Sequence, residues 1–109
     1  MGPKEFAQAI REERDALLSL FADPAGTTLV ASHLTAASLS PSQRKEVLAA
    51  IDAALTDAFY TLLLGLDGCA SLGDVQQAFL LSDESGLVIS NGDGRLEAAA
   101  WEAFHGNGN

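Results

Sequence analysis

Apolar positions recur at helical spacings along most of this chain, and a short stretch between turn signals in its second half reads as a hairpin. Phe6, Ile10, Leu17 and Phe21 fall four and seven apart, on one face of a helix predicted over 4–22. Arg11, Glu12, Glu13 and Asp15 mostly cover its other sides. Asp23-Pro24-Ala25-Gly26 ends it, because Pro disfavours helical geometry in the residue before it and Gly opens a turn. Leu29, Val30, Leu34 and Ala37 suit a short second helix within 27–39. Thr27-Thr28-Leu29-Val30 would also suit a strand, but the Ala and Leu content favours helix. The third helix has the strongest start: Ser40 as N-cap, Pro41 at the first helical position and Gln43 closing a capping box. Leu48, Ile51, Leu55, Phe59 and Leu62 form its stripe to about Leu64, and Leu63, Leu64 and Leu66 make the last turns apolar nearly all round. Such an end needs cover on several sides, so this helix is expected at the centre of the fold.

Gly65-Leu66-Asp67-Gly68 breaks the third helix, and Gly73 marks more irregular chain. Val75 to Leu81 reads as a strand and Leu87 to Ser90 as its partner. Asp83-Glu84-Ser85-Gly86 is the turn between them, with Gly86 supplying the left-handed position. After the turn Asn91-Gly92-Asp93-Gly94, Asp93 can cap a last helix over 94–105, whose apolar face is Leu96, Ala100, Ala103 and Phe104. Gly106 stops it, and residues 107–109 are expected to fray. The pattern predicts an α+β fold, mostly helical: three N-terminal helices, a two-stranded antiparallel hairpin and a C-terminal helix. A lone hairpin is marginal in water, so it is expected to lie on the third helix or to pair with another chain.

Composition supports a folded chain and bounds its size. Hydrophobic residues make up 48% and charged residues 19%, which argues against disorder. A length of 109 residues predicts one compact domain over 1–109. No apolar stretch follows Met1-Gly2-Pro3-Lys4-Glu5-Phe6, so no signal peptide is expected. The most membrane-like window, Val47 to Leu66, contains Asp52 and Asp57. Each would cost about 2.5–3.5 kcal/mol at a bilayer centre. A buried core helix is the expectation for that window, with no membrane partner and a cytoplasmic location.

Charge is uneven. The net formal charge is −9, yet residues 1–45 carry as many basic groups (Lys4, Arg11, Arg14, Arg44, Lys45) as acidic ones (Glu5, Glu12, Glu13, Asp15, Asp23). Arg95 is the only basic residue after Lys45, so the whole excess belongs to the second half. Unaided nucleic-acid binding is therefore not expected. Acidic surface can serve solubility alone. It can also steer a basic partner into place. The candidate contact residues are Asp67, Asp74, Asp83, Glu84, Asp93, Glu97 and Glu102, which cluster on turns and on the last helix. Phe104 is expected in the core. Trp101 is core or flank, and if exposed among Glu97 and Glu102 it is the natural anchor of an interface.

Tests for other chemistry give little. An EF-hand register with Gly94 at position 6 puts Ile89 at position 1 and Ala100 at position 12, where oxygen ligands are needed. Glycines 65, 68 and 73 fit no phosphate-binding loop. His33, Cys69 and His105 lie far apart in sequence, so no metal or cofactor is expected. A single cysteine excludes an internal disulfide. Asp52 lies on the flank of the third helix's stripe, where a carboxylate needs a neighbouring donor.

Two segments, Tyr60-Thr61-Leu62-Leu63-Leu64-Gly65-Leu66-Asp67-Gly68 and Trp101-Glu102-Ala103-Phe104-His105-Gly106, resemble stretches of small uncharacterised bacterial proteins. The resemblance covers 15 residues, implies a bacterial cytosolic origin and carries over no catalytic residue. The sequence thus points first to a non-enzymatic acidic interaction module, akin to an immunity or inhibitor protein, that binds a basic protein. A self-associating homodimer is the second reading. A small enzyme with a fold-assembled site near Asp67, Cys69 and His105 is the third.

Overall fold

The computed structural model describes residues 1–106, so the fraying expected for 107–109 lies outside the described residues. Four helices and one hairpin follow in the order α1 (Pro3–Ala22), α2 (Leu29–Ala36), α3 (Pro41–Leu66), β1 (Leu81–Ser82), β2 (Val88–Ser90) and α4 (Arg95–His105). The fold is α+β and mostly helical, as the pattern predicts. Segment 27–39 is helical in its middle: the Thr28 hydroxyl accepts from the Ala31 N–H at 3.1 Å and starts α2. At α3, the Ser40 hydroxyl accepts from the Gln43 N–H (3.1 Å) and the Gln43 side chain accepts from the Ser40 N–H (2.9 Å). That is the reciprocal box expected from the sequence.

The centre of the fold is not α3. The tight core is Ala7 of α1, Leu63 of α3, Ile89 of β2, and Leu96, Ala100, Ala103 and Phe104 of α4. All four residues assigned to the apolar face of α4 are buried. Only Leu63 and Gly65 are buried on α3, and the rest of its apolar stripe is at most half-buried. This corrects the expectation of a core helix. The reason is geometric. The last turns of α3 bring Leu63 into the core beside α1 and α4, whereas its first half buries no side chain completely. By length and composition α3 is also apolar enough to cross a membrane.

α1 and α3 run antiparallel, stitched by arginines. Arg44 of α3 donates to the Ala22 carbonyl at 2.6 Å, satisfying a free acceptor at the end of α1, whose last turn has no basic residue of its own. Arg14 is buried between the helices and donates to the Asp52 backbone carbonyl at 3.1 Å; its guanidinium also pairs with the carboxylates of Asp52 and Asp15. The donor that Asp52 was expected to need is therefore Arg14. Arg11 reaches the last turn of α4, donating to the Ala103 carbonyl at 2.8 Å.

The strand expected over 75–81 shrinks to β1. Leu72 and Val75 exchange backbone hydrogen bonds across a tight turn at Gly73-Asp74, which takes Val75 out of any long strand. Ala78 then passes between Gly68 and Gly92; a Cβ on Gly92 would lie 2.5 Å from that of Ala78. Both glycines have positive φ, so they serve the turn and the close approach together. Only Leu81 and Ser82 remain to pair with β2, across an irregular register. The turn itself follows the sequence: Gly86 has φ 90°, and its N–H donates to the Asp83 carbonyl at 3.0 Å. The hairpin rests on α1 and α4 through β2, not on α3 as expected.

Candidate functional site

The acidic half of the chain converges on the end of the molecule formed by α4, the hairpin and the C-terminus of α3. Its residues play three different parts. Asp67 was expected at the surface and is 1% exposed. It is the C-cap of α3, followed by a left-handed Gly68. The Gly68 N–H donates to the Gly65 carbonyl and the Cys69 N–H to the Leu64 carbonyl, the Schellman arrangement. Its carboxylate turns away from the negative end of α3 toward the start of α4. There Oδ1 accepts from the Ser90 hydroxyl (2.8 Å) and Oδ2 from the Glu97 N–H (2.9 Å). Residue 94 is a glycine and has no side chain to cap α4, so Asp67, thirty positions before Glu97, caps it instead. Asp67 is consequently removed from the set of contact residues.

Asp83 and Asp93 organise turns. Oδ1 of Asp83 accepts from the Ser85 N–H, the Ser85 hydroxyl and the Leu87 N–H, at 2.7 to 3.0 Å. The Met1 ammonium beside it, then Ser85, hold its carboxyl well below the usual carboxylate range. Asp93 sits just before the N-cap position, not on it as expected; it accepts from the Arg95 N–H at 3.1 Å and the Arg95 side chain at 2.8 Å. Those backbone and side-chain bonds lower its pKa. Asp74, Glu84, Glu97 and Glu102 are exposed.

Trp101 is 54% exposed. Glu97, Trp101 and His105 stand four apart on α4 and form one exposed stripe, with Tyr60 of α3 alongside. The Tyr60 ring stands edge-on to His105 (4.6 Å between centroids, 87°) and to Trp101 (6.4 Å, 62°); Trp101 and His105 lie 5.0 Å apart. These contacts fix the indole while leaving half of it to solvent. Tyr60 and His105 were missed as members of this group. The i, i+4 spacing of 97, 101 and 105 was available to find two of its residues, but nothing in the sequence aligns Tyr60 with them.

Cys69 closes the group on the Glu97 side. A hydrogen bond to Glu97 and burial push its thiol up to about 11, so it stays protonated at neutral pH. Burial, then Glu97 and Cys69, also raise the Tyr60 pKa. A nucleophilic cysteine needs the opposite environment, a cation or a base that stabilises the thiolate. Here the thiol lies beside Glu97 and the Asp67 carbonyl, while His105 is engaged with aromatic rings. Among the described residues, no hydrogen bond joins Cys69 to His105; the thiol donates to the Asp67 carbonyl at 3.7 Å. Among the described residues no group of three or more His, Cys, Asp or Glu could hold a metal ion. No model of a known protein family, no curated protein and no solved structure matches the chain.

Proposed function

We propose that this chain is a protein-interaction module whose acidic end receives a basic partner, with Trp101 as the anchor. The observation that carries the reading is the half-exposed indole, held in place by Tyr60 and His105 and flanked by Glu97 and Glu102. Rigid, partly exposed tryptophan is the residue type that dominates interface energies. Its ring face and the neighbouring carboxylates together suit an arginine or lysine side chain. Asp74 and Glu84, exposed on turns of the same acidic half, add to the negative field, which speeds encounter with a cation and disfavours acidic competitors. Immunity and inhibitor proteins that cover a cationic surface work through this kind of field.

Trp101 is the only tryptophan, so its fluorescence reports the site directly. Titration with an arginine-rich peptide at low salt is expected to shift the emission, and the affinity is expected to fall steeply as salt rises. Trp101→Ala should weaken capture of a basic protein by at least about tenfold. Emission unchanged by the peptide, or binding indifferent to salt, would refute the reading. Self-association is the second reading, favoured by the open sides of α3.

A further inference from the structure

The end of the molecule opposite the acidic site is unfinished. The structure measures 47 × 29 × 27 Å with a radius of gyration of 16.3 Å. A compact chain of this length has a radius of gyration near 13 Å. Its accessible surface is 6735 Å². Size scaling for a chain of this mass gives roughly 5,700 Å². The excess, on the order of 1,000 Å², matches the ~800 Å² that each partner contributes to a standard interface.

Apolar side chains at the far ends of α1 and α3, and Leu29 of α2 beside them in sequence, are among those left partly uncovered. Beyond the Arg14–Asp52 contact these helices bury no side chain of their own. Phe21, Val47, Leu48 and Ile51 are half-buried, and Leu20 (51%) and Leu29 (79%) are exposed. α2 packs on α1, with its own Ala31 and Leu34 buried. A layer of two antiparallel helices with one open apolar side is half of a four-helix bundle.

Charge selects the occupant. From Arg14 to Asp52 the chain carries Arg14, Arg44 and Lys45 against Asp15, Asp23, Glu46 and Asp52, which is nearly neutral. Nearly all of the chain's net −9 sits elsewhere, mostly after residue 52. Two copies meeting through these ends keep their strongly negative ends farthest apart. Any other pairing brings like charges together. Lipid fits less well, because the Arg14–Asp52 pair and the Arg44–Ala22 bond place polar groups along the α1–α3 seam.

We propose that a second copy of this chain covers the neutral ends of α1 and α3, so that two α1–α3 hairpins close as a four-helix bundle about a two-fold axis. The dimer then carries two copies of the Trp101 stripe on opposite ends. The inference is independent of what that stripe binds.

Sedimentation equilibrium of the full chain over a wide concentration range tests it. The expected result is a mass of twice 11.3 kDa at high concentration, with dimerisation undiminished by salt. Leu20→Glu combined with Leu29→Glu should raise the dissociation constant by at least about tenfold, with an unchanged circular dichroism spectrum because both side chains are already exposed. Trp101→Ala should leave the dimer intact. Hydrogen exchange at low and high concentration is a second measurement that needs no variant, and new protection is expected within residues 14–55. A monomer at every concentration, protection confined to α4 and the hairpin, or association only with phosphatidylcholine vesicles would each overturn the proposal. Salt separates it from the partner reading, since the basic partner is released at high salt and the dimer is not.

Discussion

Replacing Asp67 tests whether α4 is held by a side chain distant in sequence. Asp67→Ala removes the acceptor for the Ser90 hydroxyl and for the Glu97 N–H. Ser90 is 1% exposed, so water cannot easily replace the lost partner there. A hydrogen bond to a charged group contributes about 1.5–3 kcal/mol. Loss of a helix cap costs about 0.5–2 kcal/mol. The two estimates overlap at the Glu97 bond, so the expected total is about 3 kcal/mol. For a chain of this size each kcal/mol moves Tm by about 4 °C, which predicts a fall of roughly 12 °C. Asp67→Asn keeps one acceptor oxygen but presents an amide N–H₂ to the other donor, so its loss should be about half as large. Urea unfolding read by Trp101 fluorescence measures all three proteins. Ser90→Ala completes a double-mutant cycle, with an expected coupling of about 1 kcal/mol. An Asp67→Ala protein within about 0.5 kcal/mol of the wild type would refute the assignment of Asp67 as the cap of α4.

Further expectations concern the backbone, the seam and the thiol. Gly92→Ala should destabilise more than Gly86→Ala in thermal melts. Both have positive φ, but only at 92 does the new methyl meet Ala78. Arg14→Met should stay within about 1 kcal/mol of the wild type, because Asp15 and Asp52 are half-exposed and are not left as buried charges. Arg14→Ala should cost about 2 kcal/mol in urea, through lost packing between α1 and α3. The alkylation rate of Cys69 should keep rising to about pH 11, and Glu97→Gln should move the midpoint down toward the ordinary thiol range. The sign follows from the carboxylate stabilising the S–H form; a midpoint already at the ordinary value in the wild type would contradict it. For the same reason the Cys69–Glu97 contact is a stabilising one below the ordinary thiol pKa, and it is lost as pH rises through about 11.

Local chemistry determined most of the elements. The Ser40–Gln43 box, Pro41, Gly68 and Gly86 act through bonds made within a few residues, so their signals survive in a single sequence and place α3, its end and the hairpin turn. The apolar stripe of α4 was legible because all of its face is buried against one core. The long apolar run of α3 was misleading for a related reason. A periodic stripe states that a surface should be covered, but not that this chain supplies the cover. Pairing of β1 was equally undetermined, because strand length depends on where the partner turns away and on the passage of Ala78 between Gly68 and Gly92.

The candidate site divides in the same way. Sequence alone identified an acidic second half, a lone tryptophan and their neighbours on one helix. Only tertiary structure could separate carboxylates that look alike in sequence. Asp67 is consumed by the start of α4, Asp83 and Asp93 by their turns, and Glu97 remains beside Trp101. Tyr60 joins Trp101 and His105 across a gap of more than forty residues. Charge and periodicity are sums and spacings along the chain, and can be read from it. Which donor an oxygen meets depends on where separate elements are brought by packing, and that is decided by the fold.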